Sequence, residues 1–186
     1  QKRVAPPFGS AGCKAIRGLR CDHGPTETVS VVVNVTVHID GKNDAAPSEE
    51  NFRTWVHAAV HGDHLHKNAS KRAELSIQLV ESPEMSQLNA QFRGKEGDTN
   101  VLSFPVDPEL QKRTGLLGDV VICSEVVERE AREQGKSLDH HWAHITIHGV
   151  LHLLGYDHID DSDAEVMEAL EIAKLQGLAI PNPYIA

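Results

Sequence analysis

The sequence predicts an α/β (α+β) domain: a single small mixed sheet of about four strands flanked by helices, with a metal site at the end of a helix in the C-terminal half. Three observations lead there. Short apolar segments of period two are interleaved with longer stretches of helical periodicity, the pattern of one sheet covered by helices. A chain of 186 residues that is 40% hydrophobic can bury one ordinary core. Finally, His148, His152 and His158 stand at fixed offsets around Gly155, near the end of a helical stretch.

Residues 1–30 carry Pro6-Pro7, Gly9, Gly12, Gly18 and Gly24-Pro25 with no period. They are expected to form a mobile tail or an appended segment, because Cys13, Cys21 and His23 match no standard zinc spacing. The domain is expected to occupy 31–186. Val31, Val33, Val35 and Val37 alternate with Val32, Asn34, Thr36 and His38 as a first strand, ended by Asp40-Gly41. A helix follows from about Glu49, its apolar stripe formed by Phe52, Trp55, Val56, Ala59 and Val60. Residues 74–80 form a second strand with Leu75, Ile77 and Leu79 on one face. Ser82 is expected to cap the next helix with Pro83 at its first position.

Residues 100–106 and 116–123 read as two more strands, joined by a polar connection containing Lys112-Arg113. Ser124 is expected to cap a helix that Gly135 stops, and Ser137 to start another that runs through Leu154 to Gly155. Ser162 and Glu165 have capping-box spacing for a last helix ending near Gly177.

Composition narrows the function. No apolar run approaches the ~18 residues of a membrane span. No apolar signal-peptide core is visible near the start, and three scattered cysteines make no disulfide framework. A cytoplasmic setting is expected. Net charge is −9, although five bases and no acid lie among the first 21 residues. An acidic body argues against a sequence-independent coat on nucleic acid but allows a nuclease with a local basic patch.

The chemistry is expected in the segment 148–158. Histidines four apart on a helix lie on one side, about 6 Å apart along the axis. Both imidazoles can then reach one zinc ion at ~2.0–2.1 Å. A glycine turn at Gly155 would bring His158 round as the third ligand, leaving a tetrahedral position for water. Other four-residue pairs (His57/His61, His140/His144, His144/His148) occur among the 12 histidines. His57, His61 and His64 even form a trio, but they flank an apolar stripe with no glycine turn and are expected on the surface. The spacing of 148–158 is that of metzincin peptidases, except that Gly149 replaces the glutamate base.

The segment 148–158 also resembles the metal-binding signature of the YbeY endoribonuclease family. Further matches are Leu88-Asn89-Ala90-Gln91-Phe92-Arg93-Gly94-Lys95, Thr99-Asn100-Val101-Leu102-Ser103-Phe104-Pro105 and Leu117-Gly118-Asp119-Val120-Val121-Ile122. Gly177 and Asn182-Pro183-Tyr184 extend the resemblance from about Val31 to the C-terminus. It implies a metal-dependent endoribonuclease that cuts single-stranded RNA, trims rRNA precursors of the small ribosomal subunit and helps remove defective ribosomes. It also implies a small sheet flanked by helices, one zinc ion per chain on His148, His152 and His158, and a catalytic role for Arg93. An arginine fork there can meet the charge that grows on a phosphodiester under attack. Arg93 could instead satisfy carbonyls at the helix end or pair with a carboxylate such as Glu96 or Asp98. Asp119 could orient a ligand histidine or simply be solvated, and Asp157 could act as a base beside the metal or merely cap the turn. The acidic stretch 157–171 reads as a solvated helix face, and Cys123 as a small buried hydrophobe. A zinc peptidase with another base and a non-catalytic metal-binding assembly factor are the competing readings.

Overall fold

The computed structural model describes residues 32–39, 46–61, 72–157 and 160–185. The N-terminal segment, the Asp40-Gly41 stop, His64 and His158 lie outside the described residues. The chain runs β1 (Val32–Ile39), α1 (Glu49–Val60), β2 (Arg72–Val80), α2 (Ser82–Arg93), β3 (Val101–Pro105), α3 (Pro108–Thr114), β4 (Leu116–Cys123), α4 (Ser124–Glu133), α5 (Leu138–Leu153) and α6 (Asp161–Gly177). The strands form one mixed sheet in the order β1-β2-β4-β3. β1, β2 and β4 are parallel, and β3 closes the edge antiparallel to β4.

Period two in the strands sorts the two faces. Val35, Ala73, Leu75, Ile77 and Leu79 point into the main core with Phe52, Val56 and Trp142 from α1 and α5. Phe52 meets Trp142 edge to face at 5.9 Å, locking α1 to α5 above the sheet. On the opposite face α2 covers a smaller cluster of Val80, Met85, Leu102, Val121 and Cys123. Cys123 is fully buried there, and its burial pushes the thiol pKa up. It is the small hydrophobe expected.

A bulge reconciles β4 with both clusters. The register with β2 jumps from Glu74↔Leu116 to Leu75↔Gly118, so Leu117 is the extra residue and turns into the main core. Gly118 takes φ +133°, and a Cβ there would lie 2.1 Å from the Phe104 carbonyl oxygen. Glycine alone allows β3 to pass so close.

Four local expectations change. The connection between β3 and β4 contains helix α3, capped by the Asp107 side chain and ended by Gly115 at φ +79°. It buries no side chain, so it has no apolar period to find. The N-cap of α2 is Glu81, with Ser82 already inside the helix, and that of α4 is Cys123 rather than Ser124. Helix α6 begins after Asp160, so Ser162 lies inside it and the capping box does not form. Acidic residues at Asp161 and Asp163 still complement the helix dipole.

Candidate metal centre

His148 and His152 sit one turn apart on α5, and their Nε2 atoms approach to 3.1 Å. Each ring is fixed from its other side. His152 Nδ1 donates to the Tyr156 carbonyl at 3.0 Å, and His148 Nδ1 donates to Glu171 Oε1 at 2.7 Å. A carbonyl can only accept, and Glu171 is held ionised, so both protons belong on Nδ1. With that tautomer both Nε2 atoms face the same point, where one cation could take both. Two nitrogens on one tetrahedral ion at ~2.0–2.1 Å would lie roughly 3.3 Å apart, so the pair fits zinc.

The turn that follows is built as the spacing requires. Gly155 takes φ +91°, and Tyr156 N–H returns to the Leu151 carbonyl at 3.1 Å. This reversal presses the Tyr156 carbonyl against His152. His158 stands two residues further on, outside the described residues. Among the described residues no three His, Cys, Asp or Glu side chains are grouped to hold a metal ion.

Glu171 overturns the reading of 157–171 as a solvated face. It is 1% exposed and receives His148 Nδ1, His144 Nε2 at 2.8 Å and the Tyr184 hydroxyl. Burial alone would push its carboxyl up, but the hydrogen bonds from His144 and His148 outweigh that and hold it at about 2. Burial and the neighbouring carboxylate push the Tyr184 phenol well up, so it stays a donor. The signal was present in the sequence: Met167, Glu171 and Leu175 recur every four residues and form the buried stripe of α6. Glu171→Gln is expected to keep the fold and lower zinc affinity roughly 10–100-fold, because an amide holds both imidazoles less well. Competition against a chromophoric chelator reads this directly.

Gly149 faces away from the site. A Cβ there would lie 2.8 Å from Val120 Cγ1 and 3.1 Å from Val101 Cγ2. Ser103 Oγ donates to the Gly149 carbonyl at 2.9 Å, drawing α5 down onto the sheet edge. The position after the first histidine therefore packs on β3 and β4, where no glutamate base fits. Gly149→Ala should cost about 1–3 kcal/mol by overpacking, seen as a lower Tm in thermal unfolding. Gly149→Glu should not fold stably, and so should gain no peptidase activity.

Arg93 is the last residue of α2, exposed, with Gly94 after it at φ +63°. No hydrogen bond among the described residues joins it to the histidine pair. Nor does it pair with Asp98, which is engaged by Ser82 Oγ and by Arg129 at 3.0 Å. Those two partners hold the Asp98 carboxyl below its usual range. Asp119 bonds Ser76 Oγ on the neighbouring strand β2, and no hydrogen bond among the described residues joins it to His148 or His152. Asp157 is exposed in the turn after Gly155. His57 and His61 are exposed on or beside α1 with their rings stacked at 5.4 Å, the surface role expected.

A family model described as endoribonuclease YbeY matches residues 38–179. The solution structure of the protein TM1509 from Thermotoga maritima is similar over 77% of this chain and 92% of that chain, with 26% identity and a TM-score of 0.49.

Proposed function

Because the chain belongs to the YbeY endoribonuclease family, whose role lies in rRNA processing, we propose that it is a zinc-dependent endoribonuclease cutting single-stranded RNA in precursors of the small ribosomal subunit. The observation that carries the metal reading is the pair of Nε2 atoms at 3.1 Å, each turned inward by a partner on its Nδ1. His148, His152 and His158 would hold one zinc ion. When bound, zinc supplies Lewis acidity and lowers the pKa of water toward ~7. The chain's own groups do the rest. Glu171 orients the His148 ring with Nε2 turned toward the ion and offsets the ion's charge, and the Tyr156 carbonyl does the same positional work for His152. Arg93, with no carboxylate partner among the described residues, offers a fork to the charge that grows on the phosphoryl oxygens.

The proposed setting is the cytoplasm; no helix among the described residues is long and apolar enough to cross a membrane. The peptidase reading loses support from Gly149, whose Cβ direction runs into Val120 and Val101. To test the proposal, zinc-loaded protein is incubated with rRNA and with casein, with His152→Ala as control. RNA cleavage lost in the control is the expected result. Cleavage of casein alone would replace the nuclease reading, and absence of any turnover with zinc bound would leave a metal-binding assembly factor.

A further inference from the structure

Beside His152 the fold leaves a cavity of about 480 Å³, within the range of small-molecule sites. It lies between the end of β3, helix α3 and the last turn of α5. Its walls are mainly apolar, made by Pro105, Val106, Pro108, Leu117, Leu153 and Leu154, and His152 completes them. The cavity therefore adjoins the nitrogen pair. Its polar fittings are few. Gln111 donates both amide hydrogens to backbone, to the Leu117 carbonyl at 3.1 Å and the Leu153 carbonyl at 2.8 Å. That clamp fixes the side chain and leaves Oε1, an acceptor, as its spare atom. Asp107 spends Oδ1 on capping α3, and Lys112 is paired with Glu109 at 2.8 Å.

We infer that this cavity holds one unstacked nucleobase of the RNA strand, that of a nucleotide flanking the phosphodiester to be cut. The inference rests on the endoribonuclease reading and adds the substrate contact that reading lacks. A single strand offers anionic phosphates, sugars, and bases with apolar faces and polar edges. A phosphate would meet apolar walls, an acceptor and the Asp107 carboxylate, and the lining ammonium of Lys112 is already paired with Glu109, so the backbone stays outside. A base fits the same surroundings: ring faces against proline and leucine, and an amino or imino N–H on its edge to Gln111 Oε1. An apolar peptide side chain would match the walls but leave that acceptor unpaired. Gln111 is thus a specificity-determining residue that favours a base presenting a donor.

The test uses a short single-stranded oligoribonucleotide that the protein cuts, with one abasic residue stepped along it. Binding and single-turnover cleavage are measured for wild type and Val106→Trp. Val106 lines the cavity and contributes its backbone N–H to the Leu117 carbonyl at 3.1 Å, a bond that the substitution leaves in place. In wild type, one abasic position beside the cut should weaken binding roughly tenfold or more, beyond any other position. Val106→Trp, its cavity filled, should show that loss on intact RNA and no further loss with the abasic strand, at unchanged zinc content. The abasic scan on wild type decides the matter even if Val106→Trp folds poorly. If wild type cuts RNA and no abasic position stands out, the cavity holds no base, while the endoribonuclease reading stands. If wild type neither binds nor cuts any RNA, that reading falls and the base site with it. Casein cleavage blocked by Val106→Trp would assign the cavity to a peptide side chain instead.

Discussion

His152→Ala is expected to empty the metal centre and abolish RNA cleavage in a protein that still folds. His152 is half-buried at the end of α5, and its truncation leaves the packed side of that helix, with Leu151 and Leu153, untouched. What disappears is one of two lone pairs set 3.1 Å apart. Two remaining histidines hold zinc poorly, and on the proposed ligand set His158→Ala should act the same way. Elemental analysis should give about one zinc per wild-type chain and close to none for either variant, with cleavage down by on the order of 10³ or more. His57→Ala, on the far side of α1, is the control and should change neither. Equal zinc in wild type and His158→Ala would remove that residue from the site.

Arg93→Ala should lower single-turnover RNA cleavage ~10²–10³-fold while zinc content and Tm stay at wild-type values. The separation of these readouts follows from its surroundings. Asp98, one of the two carboxylates that could have tied Arg93 into the fold, is occupied by Arg129 and Ser82. Truncating an exposed side chain with no such partner among the described residues costs little stability. Arg93→Lys should recover only part of the rate, because an ammonium keeps the charge and loses the planar fork. A purely structural arginine would lower Tm and reduce cleavage only in step with unfolding. Full cleavage by folded, zinc-loaded Arg93→Ala would take Arg93 out of the mechanism.

Where side chains repeat with a clear period, the fold was legible before the structure. Val33, Val35 and Val37 marked β1, and Phe52, Trp55 and Val56 marked the buried side of α1. The glycine turn at Gly155 was legible too, because a positive φ is a property of single residues. Helix α3 was not, since nothing in it is buried; its only signals were Asp107-Pro108 and Gly115 at its two ends. Glu171 was hidden by its neighbours, being one acid in an acidic stretch. Only its place between Met167 and Leu175 distinguishes it, a signal of period and not of charge. The approach of α5 to β3 and β4 at Gly149 involves residues about thirty to fifty positions apart, and no local pattern announces such a contact. Arg93 and the histidine pair come from helices on opposite faces of one sheet, so spacing could not have related them.

Helix α3 buries no side chain and is tied to the body largely by hydrogen bonds, those of Gln111 to Leu117 and Leu153 among them. Each such bond is worth about 1 kcal/mol net. Freeing α5, by contrast, would strip Trp142, Ile147, Val150 and Leu151 out of the main core. The two helices that meet at the cavity therefore sit at opposite ends of the protein's range of local stability. In deuterium exchange, amides of α3 should label through small local openings, long before those of α5, which wait for global unfolding. A strand of RNA arriving at His152 would meet one wall that is permanently in place and another that opens and re-forms many times during the lifetime of the folded state.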